Sequence, residues 1–125
     1  MPSLLLVMLG GAFGSGARYL VGRAALGLWG PGYPWGTLIV NLAGGLAMGV
    51  LAGSLARFGE GGENWRLLLG VGVLGGFTTF SAFSLDVMMM LERGDWGMAL
   101  GYILASVIGA VAALALGLGI LRAVA

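Results

Sequence analysis

Six side chains able to donate a hydrogen bond stand inside otherwise apolar stretches of this chain: Asn41, Thr78, Thr79, Ser81, Tyr102 and Ser106. Asn41 follows Thr37 by four residues and Ser106 follows Tyr102 by four, so each pair shares one helical face. Phe80 and Phe83 also share a face and add the weakly electropositive rims of two rings. Asp86 is the one carboxylate within such a stretch, and it stands near the end, as in a vestibule. A cation or proton path would ordinarily show a buried acid. Donors, ring edges and the lack of a central carboxylate suit a small anion. Histidine and cysteine are absent, which removes disulfides, thiolate metal sites, cysteine nucleophiles and histidine bases together. Without these or a central carboxylate pair, the chain is not expected to be an enzyme.

Several of these groups cluster in Gly75-Gly76-Phe77-Thr78-Thr79-Phe80-Ser81-Ala82-Phe83-Ser84. At ~1.5 Å per residue, Thr78 lies about 16 Å along a helix from Leu67, near the middle of a ~30 Å hydrocarbon slab. A glycine pair followed by β-branched and hydroxylated residues is a poor helix former. A broken helix at that depth is tolerated only where it is buried in protein or lines a cavity. Two readings follow. One is a kinked span whose hydroxyls bond their own i−4 carbonyls; the other is an ion site.

The elements that must position these groups are apolar spans. Of 125 residues, 59% are hydrophobic and only 9% charged, with 26 glycines and a mean hydropathy of +1.02. A water-soluble domain of this size cannot hide that much apolar surface, so the solvent is lipid. The glycine density points to close helix packing. A net charge of +1 gives no case for nucleic acid or an acidic substrate. Four spans are expected, at about 4–23, 36–55, 67–91 and 97–121, in an all-α membrane protein whose single domain covers 1–125. The first lacks a basic flank and reads as a span, not a cleaved signal. Trp29, Trp35, Trp65 and Trp96 fall in or beside the connections, as an interfacial aromatic belt does.

Arg57, Arg66 and Arg122 lie on the side of both termini; Arg23 and Arg93 lie opposite, joined by Arg18 if it snorkels outward. This near balance gives no preferred orientation under the positive-inside rule. Four spans also enclose little of a pathway, so an inverted, dual-topology homodimer is expected. Its two-fold axis would lie at the midplane, where an isologous contact sets a patch against itself. Carbonyls freed at Gly75 and Thr78 from two copies would then form an oxygen cage for a small hard cation.

Three polar features remain. Arg18 is either an anion-attracting vestibule charge or a snorkelling anchor. Asn41 either donates to an anion or bonds between helices. Gly70-Val71-Gly72-Val73-Leu74-Gly75 matches a dinucleotide-binding glycine pattern, but inside an apolar span with no preceding strand the match carries nothing.

Three motifs carry a family resemblance: Gly10-Gly11-x-x-Gly14-x-x-x-Arg18-Tyr19, Gly36-Thr37-Leu38-x-Val40-Asn41, and Gly75-Gly76-Phe77-Thr78-Thr79-Phe80-Ser81-x-Phe83-Ser84. Over essentially its full length the chain resembles the Fluc (CrcB) family of small fluoride channels. The resemblance implies a multi-pass protein of the cell (inner or plasma) membrane, an antiparallel homodimer whose two pores conduct fluoride passively out of the cytoplasm. By similarity Phe80 and Phe83 form the aromatic lining, Asn41 is the donor aligned with it, and Tyr102 and Ser106 belong to a polar track. Thr79 and Arg18 are grouped with the same pathway. The carbonyls of Gly75 and Thr78 from both subunits would hold a structural sodium ion. Ala82 and Ala110 depart from the pattern, each removing a hydroxyl that some members carry. A small multidrug-type transporter is the alternative, but that class needs a membrane-embedded glutamate in its first span. Residues 4–23 contain no acid. A purely structural protein would not need the Thr78–Ser84 polar cluster.

Overall fold

The computed structural model describes residues 2–57 and 59–124 and is helical throughout. Helix α1 spans Ser3–Trp29 and α2 spans Trp35–Leu55; a 3-10 turn, Gly59–Gly62, leads into the third span. That span, Glu63–Glu92, is composite: α3 (Glu63–Trp65), a π-helix (Arg66–Leu74), α4 (Gly75–Phe77) and, after a two-residue break, α5 (Phe80–Glu92). Helix α6, Trp96–Ala123, completes a set of four helices long and apolar enough to cross a membrane.

The first helix runs six residues beyond the expected Arg23. Ala24-Ala25-Leu26-Gly27-Leu28 contains no strong breaker, and the first real stop is Gly30-Pro31. Gly30 takes φ +74°, a left-handed value suited to glycine, and its N–H bonds the Leu26 carbonyl at 2.9 Å. At ~1.5 Å per residue α1 is about 40 Å long, so its ends reach the interfaces or the helix tilts. Trp29, Trp35 and Trp96 are terminal residues of their helices, Trp65 lies in α3, and all four rings are exposed, as interfacial anchors are.

Glycines set the close approaches. A Cβ at Gly10 would overlap the Leu68 carbonyl oxygen, and one at Gly14 the Val73 carbonyl oxygen, so α1 lies directly on the backbone of the π-helix. A Cβ at Gly45 would stand 2.8 Å from the Ala110 oxygen, and Gly117 meets the Leu46 carbonyl, which seats α2 on α6. In lipid there is no hydrophobic drive between helices, so this backbone contact supplies much of the cohesion. The outward faces stay apolar: Leu4, Leu20, Ile108, Val111 and Leu116 are all exposed. A small core, Leu38, Phe83, Met90, Ala99 and Tyr102, lies between α2, α5 and α6.

Two features of the third span differ from the sequence expectation. The π-helix before the break was not expected. The break itself begins later, because Gly75–Phe77 still complete a helical turn and the Thr78 N–H reaches the Leu74 carbonyl at 3.0 Å. Only Thr78 (φ −88°, ψ 159°) and Thr79 (φ −151°, ψ 120°) are extended.

Candidate functional site

The site grows from the way the break is repaired. Extending Thr78 and Thr79 withdraws N–H groups from the carbonyls a turn earlier, and unpaired backbone groups inside a bilayer cost several kcal/mol each in the absence of partners. Side chains of two other helices answer part of this. The Thr79 N–H donates to Asn41 Oδ1 at 2.8 Å, while Asn41 Nδ2 donates to the Thr79 carbonyl at 3.0 Å. Asn41, on α2, thus pairs with both main-chain groups of one residue, much as a neighbouring strand would. Arg18, on α1, donates from Nε to the Gly76 carbonyl at 3.1 Å. The hydroxyl of Thr79 caps α5 by accepting from the Ala82 N–H at 3.1 Å, and it also meets Ser81 Oγ at 3.3 Å.

Both readings of Asn41 are compatible with this geometry: it bonds between helices, and an amide NH2 with one hydrogen committed still has a second to donate. Arg18 takes a third course. Its Nε faces inward onto a freed carbonyl, so it is not the outward-snorkelling anchor. Thr78 behaves as the kink reading describes, its Oγ1 donating to the Leu74 carbonyl at 2.9 Å. Its methyl packs on Gly44, where a Cβ would overlap it. What the repair leaves over is equally informative. No hydrogen bond to the Gly75 or Thr78 carbonyl oxygen is present among the described residues. Gly75 is exposed and Thr78 half-buried.

Beside the break is a cavity of about 380 Å³ whose lining includes Asn41, Thr78, Thr79, Phe80, Phe83 and Ser106. Ala110 also borders it, so the missing hydroxyl there is missing from the cavity wall. Phe80 and Phe83 stand 5.5 Å apart between ring centroids, tilted by 46°. They differ in burial: Phe83 is 7% exposed and Phe80 77%. Ser106 is buried, and among the described residues its Oγ is the one buried side-chain polar atom without a hydrogen-bond partner. A hydroxyl left unpaired in an apolar surrounding needs a partner that the chain itself does not supply. No group of three or more His, Cys, Asp or Glu residues that could hold a metal occurs among the described residues.

Toward the 30–35 connection the aromatic file continues. Tyr102 lies 5.2 Å from Phe83 and is fully buried, and its hydroxyl donates to Asp86 Oδ2 at 2.9 Å. Thr37, Asp86 and Arg93 border a second cavity of about 310 Å³ that opens at this end. Asp86 is therefore a vestibule residue, as its position near the end of the span suggested. A third cavity, about 260 Å³, carries Arg18, Arg23, Thr37 and Thr79 on its wall. The structure thus brings Asn41, Thr79, Phe80, Phe83 and Ser106 to one cavity, with Tyr102 adjoining through Phe83. Arg18 stands behind the break, on a different cavity. Tyr33 was not singled out from the sequence, because a tyrosine in a Gly-Pro-Gly-Tyr-Pro connection carries no periodic signal. It sits half-buried over Tyr102, and burial raises its phenol above the usual range.

Comparison with known proteins gives a consistent picture. A family model described as CrcB-like protein, Camphor Resistance (CrcB), matches residues 5–118. A protein of Sphingopyxis alaskensis named fluoride-specific ion channel FluC is 56% identical over 122 residues, covering 98% of this chain and 97% of its own. Proteins bearing the same name from Phenylobacterium zucineum and Caulobacter sp. strain K31 are each 59% identical, over 99% and 98% of this chain and 98% and 96% of their own.

Proposed function

Because the chain belongs to the CrcB family, we propose that it is a fluoride channel, a multi-pass protein of the cell membrane that lets fluoride leave the cytoplasm passively. A channel of this kind is not an enzyme. The observation that carries the reading is the unpartnered Ser106 hydroxyl in a cavity shared with Asn41, Phe80 and Phe83 and bordered by no acid. Fluoride is small and accepts hydrogen bonds strongly, so close donors offset its dehydration better than they offset that of chloride. Asn41 offers its second N–H, Ser106 its hydroxyl, and the two rings their positive rims. Thr79 contributes less directly, because its hydroxyl is occupied at the cap of α5.

The functional unit is an antiparallel homodimer. Phe80, 77% exposed, and Gly75 are both left uncovered by one chain, on either side of the break. With Arg18 turned inward, the remaining arginines are Arg57, Arg66 and Arg122 against Arg23 and Arg93, still close to balance. The Gly75 and Thr78 carbonyls fit a small hard cation, being oxygen donors that the fold leaves unpaired. Two copies would hold a sodium ion through these oxygens, and the ion would supply fixed positive charge and cross-bracing between subunits.

The test is anion efflux from proteoliposomes, comparing fluoride with chloride. Fluoride efflux well above that of chloride is expected; equal rates would overturn the reading. A multidrug-type exchanger gains nothing from the structure: α1 carries no acid, and Asp86 is engaged by Tyr102.

A further inference from the structure

Tyr102 is fully buried, although the vestibule of about 310 Å³ opens immediately beside it. Tyr33 lines the vestibule and packs against the Tyr102 ring. Its ring stands edge-on to Tyr102, with centroids 5.6 Å apart and planes at 82°. From the other side it leans on Trp35 at 4.7 Å, which in turn meets Trp29 at 6.0 Å. Tyr33 belongs to no helix; it rides on the 30–34 connection, where Gly30 holds φ +74° and Gly32 has open space around it. Prolines at 31 and 34 limit the connection's other torsions. The arrangement is a stiff turn with glycine pivots, carrying one large ring into the mouth of the vestibule. Below it, Tyr33 meets Tyr102, the inner residue of the file that begins at Phe80.

We propose that Tyr33 is the roof of the conduction path: its ring shuts the vestibule off from Tyr102 and must swing aside for an anion to pass. The inference rests on the fluoride-channel reading and extends it to access. With the ring in place, the Tyr102 hydroxyl is held by Asp86 and shielded from water. Turning Tyr33 outward about Gly30 and Gly32 opens the route without disturbing α2 or α6. Bulk at position 33 sets how often that happens. The phenol hydroxyl is secondary, since the contact with Tyr102 is made by the ring.

The absence of native cysteine allows a direct test. Tyr102 lies beneath the Tyr33 ring and is fully buried, and Tyr102→Cys gives a reporter there. Its reaction rate with a positively charged methanethiosulfonate is measured alone and combined with Tyr33→Phe or Tyr33→Ala. If the open state is a minor one, populated at roughly 10% or less, removing the roof accelerates labelling about tenfold or more. Tyr33→Phe should leave the rate unchanged. In the otherwise native chain, fluoride efflux should run Tyr33→Leu above Tyr33→Phe and the parent, with Tyr33→Trp below. Should Tyr33→Ala fail to fold, the Leu, Phe and Trp series decides by itself. Equal labelling with and without the ring, or efflux indifferent to bulk at 33, overturns the roof. The labelling needs no fluoride, so its failure speaks only to Tyr33. Absent fluoride efflux in the parent chain would instead overturn the channel reading.

Discussion

Replacing Asn41 by alanine removes both ends of the clamp on Thr79. The native pair is short, 2.8 Å from the Thr79 N–H and 3.0 Å to its carbonyl. Each net hydrogen bond contributes about 0.5–1.5 kcal/mol, but a buried group left unpaired costs about 1–3 kcal/mol, so two orphans cost about 2–6 kcal/mol. The neighbouring cavity of about 380 Å³ has room for water to re-pair them. The lower end therefore applies, about 2 kcal/mol, or roughly a thirtyfold shift in the folding equilibrium. Asn41→Asp is the sharper probe. A carboxylate still accepts from the Thr79 N–H but sets an oxygen against the Thr79 carbonyl and a negative charge on the anion path. Asn41→Ala is expected to lose stability in detergent unfolding and to conduct fluoride slowly; Asn41→Asp is expected to lose conduction nearly completely. An Asn41→Ala protein as stable as the parent, within about 0.5 kcal/mol, would refute the clamp. Normal fluoride efflux in Asn41→Asp would refute the anion path beside it.

Further outcomes separate packing from conduction. Phe80→Ile should slow fluoride efflux while leaving subunit stability within about 0.5 kcal/mol, because the ring is exposed; Phe83→Ile should slow it and also cost about 1 kcal/mol on thermal unfolding. Ser106→Ala removes a hydroxyl without a partner, so it should leave stability unchanged or raise it by up to about 1–3 kcal/mol while efflux falls; lowered stability with unchanged efflux would contradict this. Replacing sodium by a large organic cation should weaken the dimer, since a ligand at 100 times its dissociation constant stabilises by about 2.7 kcal/mol. Dimer dissociation measured in both media checks it, and Thr78→Ser should behave like the parent because the proposed ligand is a main-chain oxygen.

The four spans were legible because hydropathy and glycine punctuation are local properties. So was the break: Gly75-Gly76 followed by Thr78-Thr79 declares a weak helix whatever surrounds it. The π-helix was not. Arg66-Leu67-Leu68-Leu69-Gly70-Val71-Gly72-Val73-Leu74 reads as an ordinary apolar helix, and its wider turn accompanies seating against Gly10 and Gly14, residues distant in sequence. The polar side chains were legible as donors but not as pairs. Nothing local tells Arg18 that its acceptor is Gly76, or Asn41 that its partner is Thr79. Tyr33 was missed for the same reason: a loop residue acquires meaning only from what it folds over.

Each half of the broken span has a different principal neighbour, while α2 touches both. The half before Thr78 lies on α1, through Gly10 and Gly14, and is fixed by Arg18 at Gly76. The half after it packs on α6 and is fixed by Asn41 of α2 at Thr79. Mechanically the third span is two blocks meeting at the extended pair Thr78–Thr79, with Arg18 holding the last turn before it and Asn41 gripping Thr79 itself. Flexing caused by a thinner or thicker bilayer would concentrate there, changing the spacing of the Gly75 and Thr78 oxygens before any helix unwinds. Hydrogen exchange in lipids of different chain length should then change at Thr78 and Thr79 while the ladders of α1 and α6 stay constant. A uniform change along the span would show that the two halves do not move as blocks.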